Sequence, residues 1–273
     1  MSTPAIPKIN GIPAIGLGTY PLMGPQCIDT VKMSVDLGYR HIDTAQMYGN
    51  EKDVGRGIAA CGVSRAELFV TTKVDPGNLS PARFADSVKR SMGELGGPSD
   101  LLLIHWPPAD AEFDAMLDLL KAEQQKGMAK RIGVSNFTPH MLRKAASRLG
   151  DVACNQVEFQ PLLDQSKLKA VADELAIPLV AYSPIARGKA LLLPAVKAIA
   201  ARLNRPPSEI VLRWIHQQGV IVIPMTTKRE NAKFNLNIFT FELPGADMAA
   251  ISAVGTVAGR TIAPSWMAGR WDD

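Results

Sequence analysis

Polar residues end three successive apolar runs at nearly constant spacing, and this repetition is the strongest constraint on the fold. Asp43 ends the run YRHID, Lys73 ends LFVTTK and His105 ends LLLIH, at intervals of 30 and 32 residues. Such intervals match one strand–helix–strand step, which needs about 30 residues. If the strands are parallel and close into a barrel, these side chains and the nearby Tyr48 gather at its carboxyl end, where barrel enzymes carry their active sites.

Eight short apolar runs recur along the chain, and eight is the number of strands in a closed (β/α)8 TIM barrel. They cover residues 15–19, 40–43, 68–73, 101–105, 131–135, 153–158, 178–183 and 220–224. Residues with helical spacing lie between them, for example at 28–37, 82–95, 113–125, 141–149, 168–175 and 195–203. Because strands alternate with helices, this α/β chain is predicted to have parallel strands. Its length fits a single barrel domain over residues 1–273, since such barrels commonly need about 250 residues.

The two ends of the barrel sequence predict additions to the repeat. Asn10-Gly11 lies between the short runs PAIPKI and IPAIGL, and this pair suits the positive φ angles of a type I′ turn, so a small β-hairpin should open the fold. After residue 224 no further strand is expected. The segments KRENAKFNLNIF (228–239) and PGADMAAISAV (244–254) predict two additional helices before the tail.

Composition and charge exclude several classes of partner. The chain is 47% hydrophobic and 21% charged, as in globular proteins, and no apolar run approaches the ~20 residues of a membrane span. The net charge of +4 is too small and too dispersed to indicate nucleic-acid binding. The start of the chain has no basic region followed by an apolar stretch, so we expect a cytoplasmic protein. Three cysteines without C-x-x-C spacing and a few scattered histidines predict neither disulfides nor a bound metal.

The four polar residues at the strand ends form a set that suits reduction of a carbonyl group. A free phenol has a pKa near about 10, so a tyrosine that donates a proton near neutral pH needs a lowered pKa. We expect Lys73, held by Asp43, to lower the pKa of Tyr48 by favouring phenolate. His105 is expected to donate a hydrogen bond to the substrate oxygen and to stabilise its developing charge. None of these side chains carries a hydride, so the chemistry requires a nicotinamide or another cofactor.

Longer motifs extend this interpretation over nearly the whole chain. In order they read GLGTY, HIDTAQMYGNE, VTTK, LLLIHWP, IGVSNF, NQVEFQP, AYSP and VIP, followed by TTKRENAKFN and APSW. The sequence resembles the aldo-keto reductases, and most of all the short bacterial branch that includes 2,5-diketo-D-gluconate and methylglyoxal reductases. The resemblance implies that Asp43, Tyr48, Lys73 and His105 are the catalytic tetrad. Tyr48 would then be the general acid in reduction and the general base in alcohol oxidation.

The same resemblance implies a set of cofactor-binding residues. Ser135, Asn136 and Gln156 would hold the nicotinamide carboxamide, and the ring of Tyr182 would stack against the nicotinamide face. The segment from residue 224 into the following helix would bind the adenosine side, at a helix start near the last strands. The further members of the implied set are Gly18, Thr19, Ser183, Pro184, Thr226, Thr227, Lys228, Arg229 and Asn235.

The sequence departs from the family at the adenosine side. Many members have Lys after the IP dipeptide and Arg six residues later, where this chain has Met225 and Asn231. Lys228 and Arg229 lie in the same turn and would supply replacement charge, since Arg binds phosphate through two parallel hydrogen bonds. We therefore expect NADP(H) as the cofactor, with NAD(H) as the alternative.

The walls of the substrate pocket are expected to come from aromatic and apolar residues near the tetrad and in the tail. The candidates are Tyr20, Met47, Trp106, Trp266 and Trp271. The short tail suggests an open site, so small aldehydes, α-keto aldehydes and keto sugars are the expected substrates. We expect a monomer whose partner is such a small carbonyl compound.

Other interpretations of the same residues stay open at the level of sequence. Asp43 and Lys73 would also fit a structural ion pair, and each pocket aromatic would also fit ordinary packing. A Schiff-base lyase places a lysine at a strand end too, but its amine has to be unpaired and neutral. A noncatalytic nicotinamide-binding sensor would retain the same pocket and the same tetrad.

Overall fold

The chain begins with the small hairpin that Asn10 and Gly11 predict. In the computed structural model, which describes residues 5–271, β1 (Lys8–Ile9) pairs antiparallel with β2 (Ile12–Pro13). Asn10 and Gly11 have φ angles of 48° and 74°, the left-handed values that a type I′ turn requires. The side chain of Ile12 is fully buried in the apolar cluster inside the barrel. The hairpin therefore closes the amino end of the barrel.

Eight parallel strands follow, as the apolar runs predict, and they pair in sequence order. They are β3 (Leu17–Gly18), β4 (His41–Asp43), β5 (Phe69–Val74), β6 (Ser99–Ile104), β7 (Ala129–Ser135), β8 (Asn155–Glu158), β9 (Leu179–Tyr182) and β10 (Ile221–Val222). Ile15 bridges to Val222, and the N–H of Gly18 donates to the carbonyl of Pro224 at 3.1 Å, so the first and last strands meet. The expected (β/α)8 barrel is confirmed. The ends of the predicted 1–273 domain, residues 1–4 and 272–273, lie outside the described residues.

Ten α-helices lie within residues 5–271, and they surround the sheet. They are α1 (Gly24–Asp36), α2 (Glu51–Ala59), α3 (Pro81–Leu95), α4 (Phe113–Gln125), α5 (Pro139–Leu149), α6 (Ser166–Glu174), α7 (Pro194–Leu203), α8 (Pro207–His216), α9 (Arg229–Leu236) and α10 (Gly245–Ser252). Proline occupies the first turn of α3 and α5, where its missing N–H leaves no helical bond unmade. Among the helices of residues 5–271, none has both the length and the apolar composition that a membrane span needs.

The two helices predicted after the last strand are present as α9 and α10. The first of them, α9, follows β10 as the eighth helix of the barrel repeat, whereas α10 is additional. Two helices, α7 and α8, lie between β9 and β10, and the helical spacing at 195–203 predicts only the first of them. Residues 209–215 of α8 are buried without interruption, Glu209 and Arg213 among them. Because these two polar residues are buried as well, they do not outline an exposed face. Residues 209–215 therefore have no solvent-facing side, the feature by which a surface helix is recognised.

Most buried apolar side chains lie between the sheet and the helices, and a smaller apolar cluster fills the inside of the barrel. All six residues of β6 are buried, which accounts for an uninterrupted apolar run in place of an alternating one. Because both faces of the sheet are covered in this way, the carboxyl ends of the strands are left as the place where polar side chains meet.

Candidate active site

The structure brings the four predicted polar side chains together at the carboxyl end of the barrel. Asp43 is the last residue of β4, Lys73 lies near the end of β5, and His105 follows β6 directly. Tyr48 ends a short 3₁₀ turn, Gln46–Tyr48, that comes after β4. The ring centroids of Tyr48 and His105 are 5.5 Å apart, and the Lys73 amine lies 5.0 Å from the centre of the Tyr48 ring.

Three acceptors surround the amine of Lys73, which is fully buried. Its Nζ donates to Asp43 Oδ1 at 2.5 Å, to the Thr44 carbonyl at 2.9 Å and to Tyr48 Oη at 3.3 Å. Burial by itself lowers the pKa of Lys73, but Asp43 and Tyr48 outweigh burial, and the pKa is raised above its ordinary value. Lys73 is therefore a charged amine with each of its three N–H bonds engaged. That state differs from the unpaired, neutral amine of a Schiff-base lyase.

The sequence predicts a lowered pKa for the phenol of Tyr48, and this prediction is wrong. The pKa is raised, and the phenol is protonated. Burial raises this pKa above the ordinary value of 10, and the charge of Lys73, which acts to lower it, does not offset the loss of water around a phenolate. The nearby Asp43 carboxylate adds to the upward shift. Because Lys73 donates to Tyr48 Oη, the phenol oxygen is the acceptor in that bond. The phenol proton is thus left for another acceptor.

The imidazole of His105 is neutral. Burial and the charge of Lys73 lower its pKa well below the ordinary 6.5. The residue is 7% exposed, and its Nδ1 has no hydrogen-bond partner among residues 5–271. A neutral imidazole keeps one N–H donor and adds no charge to the site. His105 is therefore suited to donate one hydrogen bond to an uncharged ligand oxygen.

A chain of hydrogen bonds connects Asp43 to the residues predicted to hold nicotinamide. Gln156 Nε2 donates to Asp43 Oδ2 at 2.7 Å, and Ser135 Oγ donates to the Gln156 carbonyl at 2.8 Å. Asn136 Nδ2 donates to Ser135 Oγ at 3.1 Å, and Tyr182 Oη donates to Asn136 Oδ1 at 2.7 Å. All five side chains therefore belong to one polar network on the floor of the site.

The atoms that this network leaves for a ligand are mainly acceptors. The second N–H of Asn136 Nδ2 is used by the His105 carbonyl at 2.9 Å. Ser135 Oγ and Asn136 Oδ1 each retain a lone pair, since each accepts only one of the bonds described. Such lone pairs fit the NH₂ group of a carboxamide. Over residues 5–271 there is no cluster of three or more His, Cys, Asp or Glu side chains that would hold a metal ion.

Two of the predicted cofactor residues lie at the seam where the barrel closes. A Cβ atom on Gly18 would lie 2.8 Å from the Ile223 carbonyl oxygen, so the approach of these two chain segments requires glycine. Thr19 Oγ1 donates to the Asp43 carbonyl at 3.0 Å. Ser183, ahead of Pro184 and directly after β9, has a left-handed φ of 48°. Backbone strain of this kind is concentrated at ligand-binding edges.

The loop after β10 carries the other predicted phosphate and adenosine residues. Thr226 Oγ1 accepts from the N–H of Lys228, which is the residue directly before α9. Both basic residues of this loop are exposed, and the Arg229 guanidinium forms an ion pair with Asp36 at the end of α1. Asn235 is buried on α9 rather than open to the loop. Of the two cations expected to bind phosphate, one is therefore already engaged by a carboxylate.

Aromatic rings continue across the mouth of the site from Tyr20 to Trp266, and we call this series the aromatic wall. The centroid distances are 5.1 Å for Tyr20–Tyr48, 5.5 Å for Tyr48–His105, 6.5 Å for His105–Trp106 and 6.1 Å for Trp106–Trp266. Tyr20 and Trp266 are 58% and 55% exposed, whereas Trp106 is 6% exposed. The wall therefore offers aromatic faces to a ligand at the two sides of the proton-bearing phenol.

The other two predicted pocket residues differ in position. Met47 lies next to Tyr48 in the 3₁₀ turn and is 43% exposed at the mouth. Trp271 does not join the aromatic wall, because its ring lies over the Arg260 guanidinium at 3.7 Å. The tail is directed to this place by the buried carboxylate of Glu158, which accepts from backbone N–H groups of residues 261 and 262. Trp271 thus lies outside the aromatic wall, and its place in the substrate pocket stays a prediction.

Sequence reasoning missed the polar residues that hold the site from behind. Asn50 is fully buried, and its Nδ2 donates to the carbonyls of Thr19 and Leu22 at 3.1 Å and 2.9 Å. Glu51 is buried and accepts from the hydroxyls of Thr72 and Ser91. Asn50 and Glu51 both lie inside the motif that carries Tyr48. Their burial depends on tertiary packing, so the sequence of the motif does not show that these two polar residues are buried.

Comparisons with known proteins show what the chain as a whole is similar to. A family model described as the aldo/keto reductase family matches residues 11–256. Methylglyoxal reductase DkgB of Escherichia coli O157:H7 is 40% identical over 267 residues, which cover 96% of this chain and 99% of that protein. The crystal structure of a candidate 2,5-diketo-D-gluconic acid reductase B superposes with a TM-score of 0.93 at 37% identity, covering 97% of this chain and 96% of the other. The Bombyx mori aldo-keto reductase in complex with NADP gives a TM-score of 0.87 at 30% identity, with 94% of each chain covered.

Proposed function

The chain belongs to the aldo/keto reductase family and is an NAD(P)H-dependent oxidoreductase, and from this premise we propose its reaction. It reduces small aldehydes, α-keto aldehydes or keto sugars to alcohols, with NADPH as the preferred cofactor. The observation that carries the proposal is the bond from Lys73 Nζ to Tyr48 Oη at 3.3 Å, made by an amine that Asp43 keeps charged. The 40% identity to a methylglyoxal reductase supports α-keto aldehydes as substrates.

Tyr48 is the proton donor in the proposed reaction. The cofactor, when bound, supplies hydride to the carbonyl carbon, so that negative charge develops on the carbonyl oxygen. Tyr48 gives its proton to that oxygen and is left as a phenolate. Lys73 already donates to Tyr48 Oη and stabilises phenolate more than phenol. Its charge therefore favours the transition state over the ground state, which is the condition for a faster chemical step.

His105 and the aromatic wall orient the substrate in this proposal. A neutral His105 donates a hydrogen bond to the carbonyl oxygen without taking the proton-donor role, since its pKa lies well below 6.5. Tyr20 and Trp106 would border the reacting oxygen with aromatic surface, and a substrate bound against them would displace water and strengthen the interactions made by Lys73.

The residues present fit a nicotinamide carboxamide. Ser135 and Asn136 would accept the two N–H bonds of the carboxamide on their oxygens, Gln156 would border the same group, and Tyr182 would cover the ring face. Lys228 and Arg229 would bind the adenosine phosphate, and the NADP complex of the Bombyx mori relative supports NADP(H) as the cofactor. Met225 and Asn231 stand against this preference, because neither carries a positive charge. An NADH-preferring enzyme of the same fold is therefore the second candidate.

Two measurements test the proposal. Turnover of methylglyoxal, 2,5-diketo-D-gluconate and a nitrobenzaldehyde is followed through the loss of reduced nicotinamide absorbance, with NADPH and NADH in separate series. Reduction of at least one substrate is expected, and activity with none would overturn the assignment. Fluorescence titration of the apoprotein with each cofactor gives the preference. Tight binding of a cofactor without turnover of any substrate would instead indicate a nicotinamide sensor.

A further inference from the structure

The turn that presents Tyr48 is closed on itself by short-range bonds that do not fix its place on the barrel. The N–H of Tyr48 donates to the Ala45 carbonyl and the N–H of Gly49 donates to the Gln46 carbonyl, each at 3.1 Å. Both bonds join residues of the same turn. They keep its shape, but they leave open how far the phenol lies from the Lys73 amine on the neighbouring strand.

The side chain of Gln46 supplies long-range bonds from within the turn itself, whereas Asn50 and Glu51 bond from the residues that follow it. Gln46 Oε1 accepts from the Asp75 N–H at 3.0 Å and from Asn78 Nδ2 at 2.9 Å. Its Nε2 donates to Ser87 Oγ at 3.2 Å and to Ser91 Oγ at 3.0 Å. A backbone N–H only donates, so the bond from Asp75 fixes which end of the amide is oxygen. All four hydrogen-bonding positions of this half-buried amide are used.

The partners of Gln46 belong to the elements that place the amine. Asp75 directly follows β5, the strand that contains Lys73. Ser91 lies on α3, and its hydroxyl donates at 2.9 Å to Glu51, whose other carboxylate oxygen accepts from Thr72, the neighbour of Lys73. The amide of Gln46 therefore connects the turn that carries Tyr48 to strand β5 in two places. One connection reaches the residue after the strand, and the other reaches the residue before Lys73 through Ser91 and Glu51.

We propose that Gln46 is a positioning residue that holds the Tyr48 hydroxyl against the Lys73 amine, an inference that rests on the proposed proton transfer. The Nζ–Oη distance of 3.3 Å is near the upper limit for a hydrogen bond. A small outward shift of the turn breaks this bond while leaving the barrel and the cofactor residues in place. The amide of Gln46 is fully engaged by Asp75, Asn78 and the two serines, so its influence on the reaction passes through Tyr48.

The test compares two glutamine variants that lose similar bonds in different places. Gln46→Leu keeps the size of the side chain and removes all four bonds. Gln217→Leu is the matched control, because the half-buried amide of Gln217 also bridges two segments. It accepts from the Leu243 N–H at 3.0 Å and donates to the Leu243 carbonyl at 2.8 Å, on the helical side of the barrel behind α8. Both variants should show a lowered Tm.

Only Gln46→Leu should affect the chemical step. A misplaced catalytic group slows the reaction strongly, so we expect kcat to fall about tenfold or more while the Kd for NADPH changes less than about twofold. The primary isotope effect on kcat, measured with cofactor deuterated at the transferred position, should increase because the chemical step becomes slower than product release. Gln217→Leu should keep the wild-type kcat and isotope effect.

Crystal structures of the wild type and Gln46→Leu give a readout that is independent of turnover. We expect the Tyr48 Oη–Lys73 Nζ distance to increase beyond hydrogen-bond length in the variant. An unchanged distance, or an unchanged kcat and isotope effect, would overturn the positioning role of Gln46. Failure of the proposed function looks different, since the wild type itself would then reduce no carbonyl compound.

Discussion

The two ends of the barrel differ in the ionisable side chains that strand β4 buries there. The side chain at the amino end is neutral, and the one at the carboxyl end belongs to a charged pair. His41 and Asp43 lie two residues apart on this strand, so their side chains share one face, and each is 1% exposed. At the amino end, burial lowers the pKa of His41 to about 4, and the imidazole stays neutral. At the carboxyl end, Asp43 pairs with Lys73 at 2.5 Å, and burial does not neutralise the amine.

Equal burial thus gives a neutral group at one end and a charged pair at the other, and the difference lies in the partners. His41 has the Thr71 hydroxyl at 3.0 Å and the edge of the Phe69 ring. Lys73 has a carboxylate, a carbonyl and a phenol. A charge is retained in a low-dielectric interior only where such partners replace water. The hairpin seals the neutral end, while the charged end lies beneath the open aromatic wall.

The largest effect is expected from Tyr48→Phe, which removes the proton donor and leaves Lys73 paired with Asp43. We expect kcat for aldehyde reduction to fall by about 10²- to 10⁴-fold, the usual range for loss of a general acid. Cofactor affinity should be nearly unchanged in a fluorescence titration, because the phenol is not among the proposed cofactor contacts. Retention of wild-type turnover by this variant would transfer the proton-donor role to His105.

The next effect is on stability, and it tests whether the charged end depends on pairing. Lys73→Met leaves the Asp43 carboxylate buried without its cation, and we expect a loss of about 3–5 kcal/mol in the free energy of unfolding by urea. The double variant Lys73→Met with Asp43→Leu removes both charges and should recover most of that loss while staying inactive. If the single and double variants were equally unstable, the unpaired charge would not be the cause.

The amino end gives a smaller, pH-dependent effect. The folded pKa of His41 is about 4, below the ordinary 6.5, so the unfolded chain binds more protons between these values. Stability should therefore fall as the pH is lowered from 6.5 to 4, by up to about 3 kcal/mol from this residue. Urea unfolding of His41→Gln across that range should show a weaker pH dependence. An identical slope in the variant and the wild type would argue against a neutral His41.

The same contrast explains what could be predicted from the sequence. The strands, the hairpin and the gathering of Asp43, Lys73 and His105 follow from local patterns, because spacing and strand ends are properties of the chain itself. The missed items depend on tertiary packing. The continuous burial of residues 209–215 leaves α8 without an exposed face there, and the burial of Asn50 and Glu51 behind the site is set by side chains and backbone of other segments.

The pKa of Tyr48 is the point at which the structure departs most from the expected chemistry, and the departure also arises from tertiary packing. The sequence identifies a cation that acts to lower this pKa, and Lys73 does act in that direction. It does not reveal how far the half-buried phenol is withdrawn from water, and this desolvation raises the pKa more than Lys73 lowers it. The identity of neighbouring charges can be inferred from motifs, whereas the depth of burial requires the fold.

The pH dependence of kcat for reduction tests the central claim most directly, namely that a protonated Tyr48 beside a charged Lys73 is the acid. The pKa of Tyr48 lies above 10 and that of His105 lies well below 6.5, so neither group changes protonation between these values. The account predicts a kcat that is level from pH 6.5 to pH 10, with loss of reduction only at higher pH as the phenol ionises. A kcat that falls steadily as the pH rises through this interval would contradict it.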